Sequence, residues 1–432
     1  MSDQQSSWFA LRYPNFRAMF VAQFILQIGA AMQIAAINWQ VWRLTQDELA
    51  LGFVGLARVI PIILFALLGG VIADAMDRRR LLFGAHALQF ILYSVLALGA
   101  LSGTASIWLI YSITSMLAGV TAFESPARVA LLPTLVPRAH LAHASRINTI
   151  MFPITGVLGP LLAAAIIALG GAGASYVLCA VSAIPAMIVV GRLKVLSNSG
   201  SGRRDINLSA LKEGLTFVWR TPELRAAMLL DFFATFFSSA LALLPIYADQ
   251  ILKVGVEGYG VLSAAPALGS IIGAGMMAHI GSRLKHQGKI MLVSVAAYGL
   301  FTVIFGLSNT FLLSLVMLAG TGFADAVSMT IRGTMRQLLT PDRLRGRMIS
   351  VNMIFYMGGP QLGEFEAGFV ARAVSTPFSV ISGGIGTLIV VALTALTVPA
   401  LARYEESEVS ERLANAPIPE PIKAEPSPHI VD

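Results

Sequence analysis

Gly69-Gly70-Val71-Ile72-Ala73-Asp74-Ala75-Met76-Asp77-Arg78-Arg79-Arg80 is a short charged turn between two long apolar runs. The run before it (51–73) and the run after it (81–101) are each long enough to cross a bilayer as a helix. Here an acid at the end of one span is followed four residues later by three arginines. Such a cluster is costly to hold at a membrane face, and it either fixes topology or operates a gate. This turn is expected to do both.

Composition agrees. Hydrophobic residues make up 56% of the 432 and charged residues only 12%, about half the ~25% of a soluble domain. The single cysteine, Cys179, lies inside an apolar run, so no intrachain disulfide framework exists. The first apolar run is too long for a signal peptide and lacks a small-residue cleavage site, which marks it as a retained helix.

Twelve apolar runs follow one another, at 18–41, 51–73, 81–101, 107–123, 147–169, 175–190, 226–247, 259–280, 290–307, 311–331, 348–372 and 378–401. The fold class they predict is an all-α membrane protein of 12 transmembrane helices in two six-helix bundles. Alternate loops are rich in basic residues: Arg78 to Arg80, then Arg128, Arg138 and Arg146, then Arg192 to Arg225, then Arg283 to Lys289, then Arg332 to Arg347. The loops between them, such as Ser102 to Ser106 and Gly170 to Gly173, are nearly uncharged. The positive-inside rule therefore puts both termini in the cytoplasm. The formal charge of +7 is explained by these arginine anchors at one membrane face and does not call for a nucleic-acid partner.

The chain is expected to divide into an N-terminal six-helix bundle (1–192), a cytoplasmic linker with an amphipathic helix (193–225), a C-terminal six-helix bundle (226–403) and a disordered cytoplasmic tail (404–432) rich in Glu and Pro. The halves echo each other, as the repeats of transporters do. Leu117-Ala118-Gly119 followed by Glu124 matches Leu318-Ala319-Gly320 followed by Asp325, at an offset of 201. Asn148 and Gly159-Pro160-x-x-Ala163-Ala164 match Asn352 and Gly363-Glu364-x-x-Ala367-Gly368, at an offset of 204.

The spacing Gly-x-x-x-Asp-x-x-x-Arg-Arg from Gly70 resembles the loop signature of the major facilitator superfamily between helices 2 and 3. Asp77 stands where that pattern usually has glycine. The run Gly119-Val-Thr-Ala-Phe-Glu124-Ser-Pro126-Ala-Arg128 through Pro137, with Arg345-Gly346-Arg347 and the Gly363 motif, resembles the branch containing the enterobactin exporter and macrolide-efflux proteins. That resemblance implies export of small organic molecules driven by a proton gradient. Drug antiporters of the superfamily usually carry a longer glycine-rich motif in helix 5 than the Gly156-x-x-Gly159-Pro160 found here. The resemblance further implies an inner gate in which Asp74 and Arg78 occupy the motif positions and Glu124 the helix 4 position, with Arg79 and Arg128 beside them. Asp74 would then face the positive N-terminal end of helix 11.

Charges inside apolar runs cost about 2.5–3.5 kcal/mol each at the bilayer centre, so each needs a reason. Asp231 and Asp325 are the candidates for proton coupling, Asp231 first; structural ion pairing is the alternative. Arg58 lies ~10 Å into helix 2, at a depth comparable to Glu364 in helix 11, and the two are expected to pair as an outer gate. Glu366 lies about 200° around the helix from Glu364. Gln23, Gln27 and Asn38 share one face of helix 1 and are expected either to line the substrate cavity or to hydrogen-bond between helices. Phe232, Phe233, Phe236 and Phe237 suit packing, lipid contact or an apolar substrate wall. His86 and His279 have no partner at metal-ligand spacing, so neither a metal nor another cofactor is expected.

Hydrolase, phosphate-loop and zinc-protease signatures are absent from the sequence, and an enzyme is not expected. The expected function is secondary active, proton-coupled efflux of a drug or siderophore by a monomer in the bacterial inner membrane. Its partners would be the substrate, protons and the bilayer. A lipid translocase or a non-transporting sensor of the same fold is the alternative.

Overall fold

The computed structural model describes residues 7–75, 77–193, 208–341 and 344–406; it leaves out the side chains at 7, 8, 66–75, 130, 138, 208–211, 240, 282, 345–347, 349 and 350. Residues 194–207 of the expected linker, residues 407–432 of the expected tail and the side chain of Asp74 therefore lie outside the described residues.

The long helices run in chain order as α1 (Pro14–Thr45), α2 (Glu48–Ala75), α3 (Arg78–Leu101) and α4 (Ile107–Leu135). The stretch Leu141–Arg192 breaks at Gly171, whose φ of 73° and ψ of 177° are reached comfortably only by glycine, into α5 (141–170) and α6 (172–192). α7 starts as Pro222–Phe237 and, past a break at Ser238 and Ser239, continues irregularly to Ile251. α8 (Gly255–Ile280), α9 (Gln287–Leu307), α10 (Phe311–Leu339), α11 (Arg345–Ala373) and α12 (Thr376–Thr397) complete the set. Among the described residues, ten helical stretches are long and apolar enough to span a membrane, Leu141–Arg192 among them as one. Its break at Gly171 supplies a further span, and the charged α11 is the twelfth.

The ends of these helices follow from local chemistry. Ser106 and Ser375 cap α4 and α12 by accepting from the backbone N–H of Leu109 and Phe378. Pro14 and Pro222 open α1 and α7, where a missing N–H costs nothing. Asp77, the departure from the superfamily loop pattern, caps α3: its carboxylate accepts from the backbone N–H of Arg79 at 2.8 Å and of Arg80 at 3.3 Å. Asp77→Ala should cost about 1 kcal/mol, read as a lower thermal unfolding midpoint in detergent, whereas Asp77→Asn should cost much less.

The end carrying Arg78 to Arg80, with the start of α1 and the end of α12, is the basic end of the molecule; the other is the far end. The two bundles meet along two seams, α2 against α11 and α5 against α8. Small residues permit the close approach. A Cβ at Gly55 would sit 2.5 Å from the Gln361 carbonyl, and one at Gly368 would sit 2.7 Å from the Glu48 carbonyl. A Cβ at Gly260 would lie 2.3 Å from that of Ala164. The linker helix Leu208–Arg220 packs on α7 and α11, burying Val218 while Leu215 and Trp219 stay exposed. That division of faces suits a helix lying at a membrane surface.

Candidate functional site

Three polar sites stand out in the apolar interior. The first closes the far end. Arg58 on α2 and Glu364 on α11 form an ion pair, Nη1 to Oε2, at 3.4 Å, with side chains only 11% and 15% exposed. The other Arg58 nitrogen, Nη2, is buried with no hydrogen-bond partner among the described residues. Around the pair, Trp42 Nε1 donates to Asp249 at 3.0 Å, Arg43 lies 3.8 Å from the same carboxylate, and Arg372 pairs with Asp47. The Tyr259 hydroxyl donates to the Ala35 carbonyl at 3.1 Å, and its ring stacks on Trp39. These contacts, between α1 or α2 on one side and α7, α8 or α11 on the other, all join the two bundles. The two bundles are therefore latched at that end.

The second site lies within the C-terminal bundle. Arg332 on α10 extends one guanidinium nitrogen to Asp231 on α7 at 2.6 Å and the other to Asp325 at 3.2 Å. Asp231 and Arg332 are 13% and 11% exposed, while Asp325 is 42% exposed. Tyr298 on α9 and Tyr356 on α11 are close enough to feel all three charges. One turn beyond, Arg336 donates to Asn352 on α11. Arg332 was expected at the start of a cytoplasmic loop; it is instead the centre of the cluster. The signal was present, since Asp325, Arg332 and Arg336 recur at i, i+7 and i+11 and so fall within about 20° of one helix face.

The third site lies in the N-terminal bundle and changes the reading of Glu124. Expected at the gate near the membrane surface, Glu124 is buried. One carboxyl oxygen accepts from Gln23 Nε2 at 3.2 Å and the other from Gln89 Nε2 at 2.9 Å. Gln89 and His86 had not been singled out as its neighbours, although His86, Gln89 and Tyr93 form a polar stripe at i, i+3 and i+7 of α3.

The remaining expected residues are placed as follows. Arg79 binds the last carbonyls of α6, Val190 O at 3.0 Å and Gly191 O, and so ties α3 to α6. Arg78 opens α3. Arg128 is half-buried and lines a small cleft with Gln23, Asn148, Phe16, Met19 and Phe20. Gln27 is half-buried and Asn38 buried on the same helix. Phe232 packs on Phe355 of α11, and Phe237 stands against Gly383 and Gly386 of α12. Phe233, by contrast, is exposed on the surface of the helix. Glu366 is half-buried and has no ion pair among the described residues.

The chain and its fold match known proteins. The model of the family of transmembrane secretion effectors matches residues 5–431. The chain belongs to that family of major facilitator transporters. It is similar to the enterobactin exporters of Escherichia coli O1:K1 and of Escherichia fergusonii, at 27% identity over 398 residues, covering 91% of this chain and 94% of each exporter. Among solved structures, a POT family transporter in complex with 5-aminolevulinic acid superposes with a TM-score of 0.73 at 11% identity, over 89% of this chain and 96% of that one. A bacterial homologue of the human lysosomal transporter Spinster, in an inward-facing and unoccupied conformation, gives 0.64 at 15% identity over 94% and 99%. These structures share the fold. The chain is thus a multi-pass membrane transporter, not an enzyme.

Proposed function

We propose that this transporter exports small organic compounds, siderophores or lipophilic drugs, across the bacterial inner membrane in exchange for protons. The full-length likeness to enterobactin exporters supports export. The buried Asp231–Arg332–Asp325 cluster supports the proton linkage. Both termini and the basic end face the cytoplasm on this reading, with the chain working as a monomer divided at 1–192, 193–225 and 226–403 and ending in a 404–432 tail. The far-end latch then closes the outer side, and the substrate enters from the cytoplasm between the bundles. Gln23, Gln27 and Asn38 of α1 are the residues proposed to line that path. Rocking of the bundles, with the Arg58–Glu364 pair breaking, opens the outside.

Protonating Asp231 removes one of the two anions that hold Arg332. The guanidinium is then left with Asp325 alone, and the balance of charge across α7, α10 and α11 changes. That is the step through which a proton shifts the equilibrium between inward and outward states.

The test is flux. An efflux-deficient strain carrying this gene should secrete more siderophore, or tolerate more drug, than one without it. In proteoliposomes a labelled organic cation should move when a proton gradient is imposed. Movement of a labelled lipid and of no organic compound would replace this reading by a lipid translocase.

At the cytoplasmic side, Asp74 with Arg78 would close the inner gate against the N-terminal end of α11. Asp74→Asn should lower transport strongly while the amount of protein in the membrane stays near normal. Wild-type flux from that variant would remove the gate role.

A further inference from the structure

At the basic end, α3 and α6 meet as antiparallel neighbours. α3 starts there with Arg78 to Arg80, and α6 ends there with Arg192. Arg79 ties the two by donating to the Val190 and Gly191 carbonyls. Beside this tie a groove of about 370 Å³ opens between the helices. Phe83 and Phe90 line it from α3, Ile184, Ile188 and Gly191 line it from α6, and Arg192 stands at its basic end. Sequence spacing explains the lining. Phe83 and Phe90 are seven residues apart, on one face of α3 and ~10 Å along its axis. Ile184, Ile188 and Gly191 fall at i, i+4 and i+7 and share a face of α6. Gly191 keeps the mouth wide, since a Cβ there would already meet the Phe83 ring at 3.6 Å.

The groove faces outward. Phe83, Ile184 and Ile188 are exposed, as are Leu88, Ile91 and Val95 further along α3. Neither helix pair that forms the seams between the bundles takes part in it. Bare apolar side chains on a membrane-spanning helix lie against acyl chains.

The mouth of the groove is cationic. Arg192 is exposed and has no ion pair or side-chain hydrogen bond among the described residues. Arg80, three residues before Phe83 and on the same face of α3, is also exposed, and its side chain has no partner among the described residues. Arg79 offsets the negative C-terminal end of α6 by binding its last carbonyls. Neither α3 nor α6 contains an Asp or Glu. Asp77, just ahead of α3, has its carboxylate on the backbone N–H groups of Arg79 and Arg80.

An apolar groove two helical turns long that opens to lipid and ends in two guanidinium groups fits one class of molecule. A guanidinium matches a phosphate with parallel N–H donors. Basic pockets between spans at a membrane surface suit anionic head groups. A zwitterionic lipid carries its own ammonium and gains less from the two cations, and a lipophilic cation is repelled by them. We propose that the α3–α6 groove binds one anionic phospholipid, its phosphate on Arg192 and Arg80 and an acyl chain along Phe83, Phe90, Ile184 and Ile188. The bound lipid bridges α3 and α6 beside the Arg79 tie. The site requires that the chain cross the membrane; it depends on neither the substrate nor the direction of transport.

Native mass spectrometry of the full-length protein counts the lipids it retains. The protein is incubated in detergent with phosphatidylglycerol, or with phosphatidylethanolamine of the same acyl chains. Wild type should hold one phosphatidylglycerol more tightly than its zwitterionic counterpart. Arg192→Gln should weaken that binding about fivefold, and Arg192→Gln with Arg80→Gln about 25-fold. Lys289→Gln removes an exposed charge of the basic end on α9 and should leave the binding unchanged. Gly191→Leu fills the mouth and should weaken binding of both lipids. Circular dichroism and gel filtration select the variants that fold. Equal retention of phosphatidylglycerol by wild type and the folded double variant would overturn the proposal. So would a loss in Lys289→Gln as large as in Arg192→Gln, or equal retention of the two lipids by the wild type.

Discussion

Asp231→Asn should abolish uphill, gradient-driven export while leaving downhill exchange in place. Asparagine matches the carboxylate in size and still accepts a hydrogen bond from Arg332, but it carries no charge and takes up no proton. The 2.6 Å pair with Arg332 becomes an ordinary charge-assisted bond, and the pH-dependent change in the cluster is gone. Substrate loaded inside proteoliposomes should therefore equilibrate but never be concentrated when a proton gradient is imposed. Arg332→Ala should be worse for the protein as a whole, because it leaves Asp231 and Asp325 facing each other without their shared cation. Arg332→Lys should recover part of the membrane level, but not the forked contact to both acids. If Asp231→Asn still concentrates substrate, the proton site is elsewhere, and Asp325 is the acid to test next.

The architecture was legible because bilayer physics leaves few choices. Twelve apolar runs, basic residues in alternate loops and an internal repeat at offsets of 201 and 204 define the fold without any side-chain detail. The Arg58–Glu364 contact was legible for a similar reason: a charge in the outer half of one span demands an opposite charge at equal depth on a facing span. Arg332 was not. It sits at the margin of an apolar run, and hydropathy assigns such a residue to the neighbouring loop. Its side chain instead turns back along α10 to reach two acids, which only the i, i+7 spacing to Asp325 betrays. The neighbours of Glu124 were not legible either: the amides of Gln23 and Gln89 hold it between α1, α3 and α4, and the gate role that the resemblance implies for it stays a proposal. Hydrogen-bond partners on other helices cannot be read from the spacing within one.

Breaking the Arg58–Glu364 pair should shift the transporter toward the state that is open at the far end. In the closed state both side chains are largely buried and 3.4 Å apart. Removing one partner, as in Arg58→Gln or Glu364→Gln, strands the other charge at about 3 kcal/mol, the low end of the range for buried pairs because each keeps some exposure. When the far end opens, water reaches that charge and the penalty falls away. The equilibrium should therefore move by roughly a hundredfold, and transport should fall because the outer side no longer closes reliably. The shift can be read directly with spin labels at Leu44→Cys and Lys253→Cys, exposed sites at the far ends of α1 and α7. The single native cysteine, Cys179, is fully buried and will not compete for the label. Each single variant should lengthen the distance distribution. The charge swap Arg58→Glu with Glu364→Arg restores an attractive pair in the same gap and should return part of both the short distance and the flux. Recovery will be incomplete, because Gly55 sits against the Glu364 side chain, with a Cβ there only 2.6 Å from that of Glu364, and the longer arginine must find room in that seam. A swap that recovers neither distance nor flux would show that the two residues act separately and that the far end is held by Trp42, Asp47, Asp249 and Arg372 instead.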